Sequence, residues 1–205
     1  MVSHIRNPKL LGNDYVFAGI DSRAFNAAYA KQKQPNLCWA ANIEMNAKYY
    51  GLNVSQDSFA AEHCGIDYRG NPKDCPAKVD IITKNLNRCF VTHCIHTDQL
   101  DGSPKAEDLF GLLKENRPVI AAYITGNPVN HVVTITGITY EKTIFGDIPY
   151  SVTIRDPDPA LLNQLNHGKK EYSADEFLPL IYSWWIPTVR KYNNPKTVFN
   201  SSWLY

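Results

Sequence analysis

No excess of charge of either sign marks this chain: 21 Lys and Arg stand against 20 Asp and Glu, a formal net charge of +1 over 205 residues. A nucleic acid or an anionic membrane as main partner calls for a basic face, and the balance provides none. Long apolar runs are missing too. None approaches the ~18 residues needed to span a bilayer, and the first thirty residues lack the apolar core of a signal peptide. Repeats, heptads and low-complexity linkers are also absent, so residues 1–205 are read as one domain, with 1–12, which lack periodicity, as an arm. What remains is an ordinary globular composition, 44% hydrophobic and 20% charged, in a chain long enough to bury a sizeable core.

Cysteine is scarce, at five residues, and one of them stands apart. Cys38 lies where a polar loop, Gln32-Lys33-Gln34-Pro35-Asn36, meets a run of helix formers beginning Cys38-Trp39-Ala40-Ala41. A thiol in the first helical turn sits at the positive end of the macrodipole, where free backbone N–H groups stabilise the thiolate, its reactive form. The bland alternative is a buried, inert packing residue. With Cys38 kept free, four cysteines remain for pairing. Residues 88–97 read as one strand, in which an offset of five puts Cys89 and Cys94 on opposite faces and out of bridging reach. Cys64 with Cys75, closing a loop that holds Gly65, Gly70 and Pro72, is the expected bridge; the alternative is separate reduced thiols.

Periodicity divides the chain. A short strand is expected at 15–20, then helical or irregular chain at 24–32. The helix from Cys38 runs to about 50, with Ala41, Met45, Lys48 and Tyr49 as its buried stripe and Gly51 as terminator. Ser55 caps a second helix that stops at Gly65, Pro76 opens a third at 77–86, and a fourth spans about 106–116. From Pro118 the period becomes two, giving strands at 119–125, 131–140 and 150–155, with turns at Gly126-Asn127-Pro128 and around Gly146-Asp147. A strand near 170–173, a helix at 174–182 and an aromatic strand at 184–189 follow. A helical first half packed on an antiparallel second half is an α+β fold.

A catalytic thiol needs a base, and the base needs an orienting acceptor. His131 stands between a turn and the strand Val132-Val133-Thr134-Ile135-Thr136, held on a rigid element at a loop edge. Asp156 ends the next strand, in Arg155-Asp156-Pro157, where a hairpin from the strand of His131 brings the two alongside. Asp158, in the repeated Asp-Pro pair, is the fallback, and Asp-Pro as a mere turn initiator is the plainer reading.

Gln32 six residues before Cys38, Cys-Trp-Ala-Ala opening a helix, Asn-His-Val-Val starting a strand and Arg-Asp-Pro ending the next resemble the papain-like cysteine peptidases, in their order Cys, His, Asp or Asn. The compact size, Val54-Ser55-Gln56 and Pro76-Ala77 are more similar to the bacterial group that contains bacteriocin leader peptidases and plant-pathogen effector proteases. The resemblance covers residues 30–160 and implies a papain-like fold. By role it implies Cys38 as nucleophile, His131 as general base and acid, Asp156 as orienter and Gln32 as oxyanion donor beside the Cys38 N–H, with Gln34 as the competing donor. It implies a peptide or protein substrate, an inhibitor or immunity protein as a further partner, and no cofactor. Asn130, where a small glycine often precedes the histidine, implies a narrower, more polar rim. With the spare cysteines, the resemblance also points to a chain secreted or delivered to a target cell, the cytoplasm being the alternative.

Three rivals compete. Cys89, His93, Cys94 and His96 have the ligand types of a zinc site, but strand alternation splits them between faces, so no metal is expected. An amidase, acyltransferase or transglutaminase-like enzyme uses the same triad with another acceptor. A non-catalytic papain-like binding module would use the aromatic load, Trp184, Trp185 and Trp203 among it, as an interface; the presence of all four catalytic residue types argues against it. Specificity is expected from loops 65–75, 127–130 and 157–168.

Overall fold

The computed structural model describes residues 14–90, 93–126, 130–160 and 164–191. The arm at 1–12, most of the turn at Gly126-Asn127-Pro128, Trp203 and parts of two expected specificity loops lie outside the described residues. The strands are β1 (Tyr15–Gly19), β2 (Cys89–Phe90), β3 (His93–Asp101), β4 (Val119–Tyr123), β5 (His131–Thr143), β6 (Gly146–Arg155), β7 (Lys169–Ser173) and β8 (Ile181–Lys191). The helices are α1 (Ser22–Ala28), α2 (Cys38–Tyr49), α3 (Gln56–Cys64), α4 (Val79–Leu86), α5 (Ala106–Lys114) and α6 (Ala174–Phe177), the last continued by a 3-10 turn, Leu178–Leu180.

One antiparallel sheet runs in the order β2-β3-β8-β4-β5-β6-β7, and β1 pairs with the far half of β5. The short central strand β4 shows how the layers arise. All of Val119–Tyr123 is buried, because alternate residues feed two cores. Ile120 and Ala122, with Val132 of β5 and Trp185 of β8, pack against Trp39, Ile43, Phe59 and Leu86 of α2, α3 and α4. Val119, Ala121 and Tyr123 join Leu109, Leu113 and Phe177 of α5 and α6 on the other side. Period-two alternation thus sandwiches the sheet between helices. The helical half does pack on the sheet, and it also lends that sheet β1, β2 and β3.

α2 departs from the expected stripe. Every residue from Cys38 to Ala47 is buried, because α2 lies between the sheet and neighbouring helices and has no solvent face over that stretch. Its end is as expected: Gly51 at φ 83° with Gly51 N donating to Lys48 O and Leu52 N to Ala47 O is a Schellman cap. Ser55 caps α3 by accepting from Asp57 N.

The cysteine pairing is half as expected. Cys64 and Cys75 are bridged. Cys89 and Cys94 are bridged as well, with Cα atoms 4.0 Å apart, which corrects the expectation that they could not meet. Residues 88–97 are not one strand: β2 and β3 run antiparallel with Cys89 directly opposite Cys94. Alternation counted through a chain reversal loses its meaning, since directly opposed residues share a face. The bridge also consumes both thiols that the zinc reading required.

Candidate active site

Two elements bring Cys38 and His131 together. Cys38 is the first residue of α2, 6% exposed and the free cysteine among those described. The preceding Leu37 offers no side-chain cap, so the first N–H groups of the helix are not spent on one. His131 is the first residue of β5, and the Cys38 side chain is close enough to its ring to raise its pKa. Its Nε2 lies 2.8 Å from Asp156 Oδ1, leaving Nδ1 as the ring nitrogen for the thiol. Asp156 follows β6 directly and is 3% exposed.

Charge follows from this packing. Burial alone would lower the His131 pKa, but the hydrogen bonds and charges of Asp156 and Cys38 outweigh it and push it up to about 10. Burial would likewise raise Asp156; the His131 bond and charge and the Lys170 ammonium hold it at about 2. The pair is therefore imidazolium and carboxylate at neutral pH. Tyr123, opposite His131 in the ladder, sets its ring edge-on at 5.8 Å and closes that side with apolar surface.

Several supports have no obvious mark in the sequence. Lys170 Nζ donates to Asp156 Oδ2 at 2.7 Å, Asp158 N to Oδ1 at 2.9 Å, and Tyr29 OH to the Asp156 carbonyl at 3.2 Å. Asp156 N donates to Gly168 O, and a Cβ on Gly168 would stand 2.2 Å from Asp156 O, so the approach requires glycine. Asp158, the fallback orienter, contributes its backbone N–H to the Asp156 carboxylate. Across the site, Asn42 Nδ2 donates to both Cys38 O and Val132 O at 2.8 Å, tying the helix of Cys38 to the strand of His131. Thr134 Oγ1 donates to Asn42 Oδ1 and accepts from Asn46 Nδ2, closing a buried network. The one available signal was a pair of asparagines four apart inside a helix that needed none.

Gln32 is 6% exposed, but its Nε2 donates to Gln34 O at 3.2 Å and Pro35 O at 2.9 Å within its own loop. Its amide nitrogen is thus turned to its own loop, and no hydrogen bond joins it to Cys38 among the described residues. Its position is set from both sides: Gln56 accepts from Lys33 N and donates to Lys31 O, and Gln32 N donates to Pro157 O. Gln34 is committed elsewhere, donating to Pro72 O in the 65–75 loop. A cleft of about 360 Å3 opens at Cys38, walled by Trp39, Pro76, Val79, Val132 and Tyr182, with Asn130 at its edge. Larger depressions exist, of about 640 and 680 Å3, but neither reaches the thiol.

A cysteine at a helix start beside a histidine that is itself clamped to a buried carboxylate, on helices packed against an antiparallel sheet, is the arrangement of a papain-like cysteine peptidase. Family comparison agrees: the model described as papain-like cysteine protease AvrRpt2 matches residues 21–177, and the chain belongs to that family. No curated protein matches it. Among solved structures, it is similar to the peptidase domain of Streptococcus ComA, a bi-functional ABC transporter involved in quorum sensing, at 18% identity and a TM-score of 0.50, over 78% of this chain and 96% of that one. A double glycine motif protease from an AMS/PCAT transporter, in complex with the leader peptide, matches at 18% identity and 0.44, over 78% and 91%. Digestive procathepsin L2 proteinase from Tenebrio molitor larval midgut matches at 15% and 0.42, over 90% and 69%.

Proposed function

We propose that this cysteine peptidase cleaves a peptide bond through a thioester on Cys38. The Cys38 sulfur attacks the carbonyl carbon as the thiolate, the C–N bond breaks as the imidazolium of His131 gives its proton to the leaving amine, and the acyl group stays on sulfur. Water, deprotonated by the now neutral His131, then attacks the thioester; the acid leaves and Cys38 and His131 return to their starting forms. Asp156 holds the imidazole in register throughout. The Cys38 N–H and Gln32 Nε2 stabilise the oxyanion, Gln32 releasing its longer bond to Gln34 O to do so. The observation that carries this reading is the His131–Asp156 contact of 2.8 Å, with the Cys38 side chain acting on the same ring.

The substrate is a peptide or protein segment that places an apolar side chain against Pro76, Val79 and Tyr182. The chain acts after export or delivery into a target cell, as an effector or toxin; its two disulfides suit passage through an oxidising compartment. The test is peptide-library cleavage by the intact protein, with an amine acceptor in a parallel arm. Cys38→Ala should abolish cleavage, and product masses should show water, not the amine, in the new terminus. Unchanged turnover by Cys38→Ala would sink the mechanism, and predominant amine incorporation would turn hydrolysis into acyl transfer.

A further inference from the structure

On the Lys170 side of Asp156 lies a second site-like feature that the peptidase reaction does not use. A depression of about 680 Å3 is lined by Arg155, Lys169 and Lys170, with His167 and Ser22 beside them. Its carboxylate, Glu171, already takes the Ser151 hydroxyl at 2.5 Å, and Lys170 is bound to Asp156. Arg155 is in a different position. It is 2% exposed, its Nη1 meets only the carbonyls of Asn166 and His167 at 3.3 and 3.2 Å, and its guanidinium lies 5.9 Å from the Phe25 ring centre. Its Nε is buried with no hydrogen-bond partner, and no carboxylate bonds to it among the described residues.

Burying a guanidinium without a counter-charge is strongly unfavourable, and backbone carbonyls offset only part of that cost. Lys169, across the ladder from Arg155, is exposed and adds a second cation at the same opening. We propose that this depression binds a small multivalent oxyanion, a polyphosphate or a polycarboxylate, whose charge pairs with Arg155 and Lys169. The planar fork of arginine suits either oxyanion. The inference rests on no step of the peptidase reaction, so neither stands or falls with the other.

Replacing the buried Arg155 threatens the fold, so the test uses the exposed Lys169. Isothermal titration with inorganic pyrophosphate and, separately, citrate at constant ionic strength is run on the wild type, Lys169→Glu and, as a charge control, Lys73→Glu. Thermal melting verifies that each variant is folded. The expected result is saturable one-to-one binding of at least one anion, weakened roughly tenfold or more by Lys169→Glu, the loss of a charged hydrogen bond, and unaffected by Lys73→Glu. Preference between the two anions identifies the phosphate or carboxylate class. Absence of saturable binding by both, or equal weakening in the two variants, overturns the proposal and leaves Arg155 as a tie for the Asn166–His167 turn.

Discussion

Every polar atom of Asp156 has a partner: His131 and Asp158 N on one carboxylate oxygen, Lys170 on the other, Gly168 on its N–H and Tyr29 on its carbonyl. Gly168 is the tightest of these supports, with φ +68° and no room for a Cβ. Gly168→Ala should therefore cost about 2–3 kcal/mol in urea unfolding and, on the proposed mechanism, lower kcat more than it changes KM, because it displaces Asp156 and leaves the cleft intact. A loss in KM alone would contradict that. The two titrating members also predict how stability varies with pH. His131, raised to about 10 in the fold from ~6.5, contributes fully below ~6.5 and loses its contribution as pH rises towards about 10. Asp156, lowered to about 2 from ~3.9, contributes fully above ~4 and loses its contribution as pH falls towards about 2. The stability difference between wild type and His131→Ala should peak between pH ~4 and ~6.5 and shrink on both sides. A difference flat up to pH ~10 would show that the pair is not charged as described.

The element that holds the loop before Cys38 is the 65–75 loop closed by Cys64 and Cys75. Pro72 O accepts from Gln34, Asp74 takes Asn36 N and Nδ2, and Cys75 O takes Trp39 Nε1, so the loop is bonded on both sides of Cys38. Cys64→Ser with Cys75→Ser should cost about 3 kcal/mol from loop entropy and depress kcat/KM. Cys89→Ser with Cys94→Ser, in a hairpin at the sheet edge, should leave kcat/KM close to wild type. Steady-state kinetics on the two double variants decides this, and equal activity losses would refute the clamp. α2 carries a matching prediction. Asn42→Ala removes the bridge from Cys38 O to Val132 O and should cost roughly 1–3 kcal/mol, read by thermal or urea unfolding. The β2–β3 hairpin shows why elements are harder to read than residues. A reversal within ten residues leaves alternation looking continuous, and only the observed register of Cys89 opposite Cys94 reveals it.

At the scale of the molecule, what was legible followed from local chemistry. Cys38 at a helix start, His131 at a strand start and Asp156 at a strand end are each marked by their immediate neighbours, and the structure brings all three together. The α+β division was visible in the change of period near Pro118. Lys170 and Gly168 were not legible, because their closeness to Asp156 depends on β7 pairing with β6 in one register, Ile154 opposite Lys170. Asn42 was hidden because α2 is buried all round, so its polar residues could not be told from solvent-facing ones. The orientation of Gln32 depends on which carbonyls its loop presents, a matter of backbone path that sequence spacing does not specify. The covalent step is the centre of the account. Acid-quenched turnover of a cleaved peptide, followed by peptide mapping with mass spectrometry, should find the acyl fragment on Cys38 as a hydroxylamine-sensitive adduct that is lost in Cys38→Ala. Turnover with no such adduct at any quench time, or an adduct on another residue, would contradict it.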